Sequence, residues 1–166
     1  MKKLSVLFAA VMMFLAVGVA KAQKVASLDV AAVLNLMPEK KKADDQLTAL
    51  SNSKRAEIEK QMQAAQAKLK QYSEEAPKQT QQVNEQRNAE LQKLQQQIEQ
   101  MQMAAQKDIA EKTDAAFLPI EKKFNDAVNR AAKSNGWDFV FDANASGLIY
   151  KGGPDATAAV KKELGL

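Results

Sequence analysis

Two apolar runs at heptad spacing, one on each side of a proline, constrain this chain more than any other feature. Ile58, Met62, Ala65, Leu69, Tyr72 and Ala76 follow one another at alternating steps of four and three, the spacing that puts every member on one face of a helix. Pro77 ends the run, because an interior proline removes a backbone donor and clashes with the preceding turn. Leu91, Leu94, Ile98, Met101 and Ala105 then resume the alternation. Two seams of similar length flanking one breaker predict an antiparallel helical hairpin, an arm over 39–116 with its tip near 75–80.

Composition limits what that arm can be. Between Glu39 and Ala116 there is no Gly, Trp or Phe, and Gln, Ala, Glu, Lys and Leu dominate. These are adequate helix formers that cannot build a wide core. Leu47 and Leu50 join the first seam only through a stutter at Lys54, and Ile109 stands four, not three, after Ala105. Stutters unwind a coiled coil locally. Alanine and methionine supply much of the layer, so the arms are expected to be helical but mobile. Met62 and Met101 lie on the seam and are read as packing, whereas Met103 falls off it and is the candidate for contact with a partner. The same Gln-rich heptads also suit a plain structural spacer.

The two ends of the chain read differently. Lys24 to Val30 alternates and predicts a strand with Ala26, Leu28 and Val30 on one face, followed by a short helix over 31–37 before Pro38. Phe117, Ile120, Phe124, Ala127 and Ala131 continue a helical spacing with bulkier residues, with a kink or local break expected at Pro119. Asn135-Gly136 should end that helix. Trp137 to Asp142 reads as a second strand with Trp137, Phe139 and Phe141 on one side, and Leu148-Ile149-Tyr150 as a third. Asp155 is the expected N-cap of a last helix reaching about Leu164. The segments 23–38 and 117–166 thus predict a small β-rich body, for a fold of the α+β class. Three short strands are too few to be stable alone, and their edges need cover, so the body is expected to oligomerise through its sheet.

Lys2 and Lys3, an apolar run over 4–20 and the small-x-small triplet Ala20-Lys21-Ala22 predict a cleaved export signal over 1–22. Its removal takes three lysines from the 24 basic residues and leaves the 20 acidic ones, so the net charge falls from +4 to about +1. A nucleic-acid role on charge alone loses its support. The chain has no histidine and no cysteine, which removes imidazole bases, thiol nucleophiles, disulfides and the usual zinc ligands. Asp138 and Asp142 share one face of a strand near Asn144, but no second catalytic element accompanies them, and Asp142 and Asn144 suit a turn cap better. No enzyme, metal or cofactor is expected.

Val25-Ala26-Ser27-Leu28-Asp29-Val30, Val33-Leu34 and Met37-Pro38-Glu39, with Pro119-Ile120, Ala127-Val128, Gly136 to Asp142, Leu148-Ile149-Tyr150 and Asp155-Ala156-Thr157, resemble the Skp/OmpH family of periplasmic chaperones over the whole predicted mature chain. The resemblance implies a trimer in which the strands of three subunits form a small β-barrel and three helical hairpins enclose a cavity. It implies unfolded outer-membrane proteins as clients held without ATP, with the outer-membrane assembly machinery as a candidate further partner. By that likeness Val25, Leu28, Val30, Phe139, Phe141, Leu148 and Tyr150, with Trp137, would form the body. The family's better-known members are strongly basic, and the near-neutral charge here argues against carrying over lipopolysaccharide binding.

Overall fold

The computed structural model describes residues 23–145, 147 and 149–166. The predicted signal, 1–22, and Leu148 lie outside the described residues. Strand β1 (Val25–Leu28) buries Ala26 and Leu28 and turns Val25 and Ser27 the other way. It ends because the Asp29 carboxylate accepts the Ala32 N–H at 2.9 Å and caps α1 (Val30–Leu34). Val30 is therefore the first helical residue, not the end of a strand face. A side-chain cap captures the chain one residue before the alternation would run out.

Pro38 occupies the first position of α2 (Pro38–Glu75), where its missing N–H costs nothing and its fixed φ suits the helix. At 38 residues α2 is about 57 Å long. Pro77 sits in a 3₁₀ turn, Ala76–Lys78. Thr80 then caps α3 (Gln81–Asn135) by accepting the Val83 N–H at 3.3 Å, and the Asn84 side chain donates to the Ala76 carbonyl at 3.0 Å across the tip. α3 holds 55 residues, about 82 Å. It continues through Pro119, so the expected local break is absent. Pro119 is exposed while Ile120 and Phe124 beside it are buried. The turn that lacks one hydrogen bond faces water, and core packing holds its neighbours in helix. Gly136, at φ 67°, ends α3: its N–H reaches the Lys133 carbonyl, and the Trp137 N–H reaches that of Ala132 at 3.0 Å.

β2 (Phe139–Asp142) pairs parallel to β1, with Val25 opposite Phe139 and Leu28 opposite Asp142. A parallel pair needs a long crossover, and here the whole hairpin supplies it. The expected third strand does not form at Ile149 and Tyr150, which are unpaired and exposed. The far edge of β1 is already taken: the Ser27 N–H donates to the Pro154 carbonyl at 3.0 Å, and the Ala156 N–H donates to the Ser27 carbonyl at 2.7 Å. α4 (Thr157–Leu164) follows. Ala156, not Asp155, holds the cap position, but the Asp155 carboxylate still accepts the Thr157 N–H at 2.8 Å. The Thr157 hydroxyl, and then the Thr157 N–H, hold the Asp155 carboxyl below its ordinary range.

The core forms where these pieces meet the open end of the hairpin. Ala26, Leu28, Val33, Met37, Ile120, Phe124, Val160 and Leu164 are buried together with Ala43, Ala127, Ala131 and Ala156. Alanines at the crossing let α3 lie close to its neighbours. Val30, Trp137 and Val140 pack against this cluster half-buried. Phe139 and Phe141 point the opposite way, so β2 turns Val140 inward and its two phenylalanines outward.

Candidate functional site

The arm is held in one register by charge as well as by its seam. Lys123 pairs with Glu39, Lys54 with Asp108 at 3.1 Å, Lys68 with Glu90, and Arg87 with Glu75 at 2.5 Å, each joining α2 to α3. Fifteen residues separate Glu39 from Lys54, and fifteen separate Asp108 from Lys123. The stutters at Lys54 and Ile109 therefore cancel across the pair, and the two helices keep step.

Near the tip the pairs merge into a clasp. Tyr72 donates its hydroxyl to Glu90 at 2.6 Å, and the Arg87 guanidinium lies over the Tyr72 ring, 4.5 Å from its centre. Hydrogen bonds from Lys68 and then Tyr72 hold the Glu90 carboxyl below its ordinary range, and the same bonds push Lys68 and Tyr72 up. Glu75 is lowered by Gln71 and then Arg87.

Between tip and body the seam covers less than its spacing implies. Ile58, Tyr72, Leu91, Leu94, Ile98 and Met101 are half-buried and Ala105 is buried. Met62 is 42% exposed and Leu69 53%. Two helices alone cover a narrow stripe, and residues at its rim stay open to water. Met62, Ala65, Leu69, Leu91 and Ile98 form the floor of a groove along one side of the hairpin. The groove continues past Met62 and Gln102 toward Ser51 and Ile109. Met103 is 62% exposed and is not among the residues lining that groove. Carboxamides stand along it, and spacing arguments overlooked them. A signal was present: Gln66, Gln92, Gln95 and Gln102 each directly follow a seam residue.

The second open apolar surface is the outer face of the sheet. Phe139 and Phe141 stack with ring centres 6.2 Å apart, next to Val25. All three are about half exposed. Among the described residues β2 has no strand partner on its outer edge. Ile149 and Tyr150 are also open to solvent.

The paired carboxylates near the turn are committed to backbone. Asp138 accepts the Lys24 N–H at 2.8 Å, and Asp142 accepts the Asn144 N–H at 3.0 Å. Among the described residues no group of three or more acidic side chains could hold a metal, and no helix is long and apolar enough to cross a membrane.

A family model described as outer membrane protein (OmpH-like) matches residues 24–164. The chain belongs to the OmpH-like family. Among solved structures, an OmpH-like protein of Caulobacter crescentus, for which an outer-membrane chaperone role has been suggested, superposes with a TM-score of 0.73. The likeness covers 86% of this chain and 84% of that one at 17% identity, which establishes a shared OmpH-like fold. No curated protein matches the chain in sequence.

Proposed function

We propose that this OmpH-like chain is an ATP-independent, non-enzymatic holdase of the periplasm that binds unfolded outer-membrane proteins and keeps them from aggregating in transit. The observation that carries this reading is an arm whose own partner helix leaves its apolar seam half open. A long, shallow, discontinuous apolar surface binds many sequences weakly and lets them go, whereas a deep pocket would select or trap. Family membership supports the reading, as does the suggested role of the Caulobacter relative.

The body is proposed to assemble three copies through the outer face of the sheet, with Val25, Phe139 and Phe141 in the contact and Ile149 and Tyr150 beside it. The 1–22 segment would direct export and be removed. Client contact at Met103 is retained as a proposal, because its side chain is free to reach a partner. The outer-membrane assembly machinery is the further partner this role would need.

Light scattering on a sizing column tests both parts, with the protein alone and after rapid dilution of a urea-unfolded outer-membrane barrel. A trimer that becomes a larger soluble complex is the expected result. A trimer that leaves the barrel to aggregate would replace the chaperone with a structural spacer, a role the arm's continuous ion-pair register also suits.

A further inference from the structure

We propose that the long groove on one side of the hairpin is an extended-peptide site that reads the backbone of an unfolded chain through its carboxamides. This deepens the chaperone reading above and rests on it. From Ser51 to Leu69 the groove follows about 27 Å of α2, room for roughly eight residues of extended chain. Its floor is apolar, and Gln66 on α2 faces Gln92, Gln95 and Gln102 on α3 across it.

The chemistry of the rim selects the occupant. In its distal half no lysine or arginine lines the groove, and its lone carboxylate, Glu99, already accepts from the Gln95 side chain at 3.4 Å. A nucleic acid or an anionic lipid headgroup would meet no cation there. Among the described residues, the side chains of Gln66, Gln92 and Gln102 make no hydrogen bond within the molecule. A carboxamide both donates and accepts, as a peptide unit does, whereas lysine only donates and a carboxylate only accepts. An extended chain puts alternate side chains onto the floor and its N–H and C=O groups toward the rims. Glutamine can meet those groups in either chain direction and register. Folded proteins have few backbone groups to offer, so the site discriminates unfolded from folded chains without reading sequence. Toward the body, Lys54, Arg55 and Glu59 line the continuation, with Lys54 paired to Asp108, and the neutral stretch ends.

The test compares a fluorescein-labelled ten-residue peptide of alternating valine and threonine with the same peptide N-methylated at alternate amides. Both are titrated into the full-length purified protein and followed by anisotropy. N-methylation should weaken binding about tenfold, the weight of one or two net hydrogen bonds. In the Gln66→Met, Gln92→Met, Gln102→Met triple variant the two peptides should differ less than about twofold. Equal binding of both to the unaltered protein, or binding of neither, overturns the proposal. A benzophenone side chain placed singly at Gln102 should capture the peptide, and one at Gln63, which does not line the groove, should not. Equal capture at both positions also overturns it, and this arm does not depend on the triple variant folding. A separate dilution of unfolded barrel distinguishes the two readings. Suppressed aggregation with no methylation effect removes the groove and leaves the chaperone. The methylation contrast without suppression keeps the peptide site and removes the holdase role.

Discussion

Asp29 joins three stretches of the chain. Its carboxylate caps α1 through the Ala32 N–H and accepts from the Asn144 side chain at 3.0 Å, while its own N–H donates to the Thr157 hydroxyl at 3.1 Å. It ties the start of the chain to two segments more than a hundred residues further on. Replacing it with alanine removes a cap and leaves Asn144 without its partner, a cost of about 1–2 kcal/mol. Asn should retain most of it. Urea unfolding followed by Trp137 fluorescence checks this, and an Asp29→Ala midpoint equal to wild type would mean that α4 docks without the junction. Glu90 makes the corresponding prediction at the tip. Its folded pKa lies below the ordinary 4.5, so its contribution is present above 4.5 and is lost as pH falls through the lowered value. Lys68 is raised from 10.5, so its share is present below that value and disappears as pH rises through the higher one. All of these groups are open to solvent, and the effect is modest. Glu90→Gln should melt earlier than wild type at neutral pH by circular dichroism. That gap should close below pH 4.5, and a gap that persists in acid would assign the loss to packing rather than charge.

At the scale of the helix, Pro119 is the clearest conflict between local preference and fold. It lies inside α3, where proline is about 3 kcal/mol worse than alanine. Pro119→Ala should therefore stabilise the protein, by up to roughly 3 kcal/mol, read as a higher urea midpoint with unchanged helix content. A loss of stability would mean that the proline ring itself contributes to the packing around Phe117, Ile120 and Phe124. The hairpin itself was legible because heptad spacing and one proline specify helix, face and tip with purely local information. What the spacing could not convey is how much one helix covers another, so Met62 and Leu69 read as packed but stand half open. The strands were harder for the same reason. Alternation places Val30 in β1 and Tyr150 in a strand, but a cap at Asp29 and the prior claim of 154–156 on β1 decide otherwise. Phe139 and Phe141 look like core by composition and face outward because Val140 takes the inner side. Alternation carries neither the local cap at Asp29 nor the pairing of β1 with 139–142 and 154–156, more than a hundred positions away.

For the whole molecule the decisive feature is a two-stranded parallel sheet with an apolar outer face. Parallel pairs are normally covered on both sides, and a sheet this small is not independently stable. Burying the exposed half of Phe139 and Phe141 would contribute roughly 1.5–3 kcal/mol for each copy, a sizeable share of the stability of a marginal domain. If the body assembles through this face as proposed, its folding and assembly form one equilibrium, and the melting temperature of the wild type should rise with protein concentration. Phe141→Glu places a charge in the middle of that face. It should reduce the mass in light scattering to that of a single chain and abolish the concentration dependence. The arms should stay helical in this variant, because their seam and ion pairs lie on other surfaces and join α2 only to α3. An unchanged mass would move the contact away from the sheet face. A single chain with lost helicity would mean instead that the hairpin borrows its order from the assembled body, and that clients would meet ordered arms only where copies have already come together.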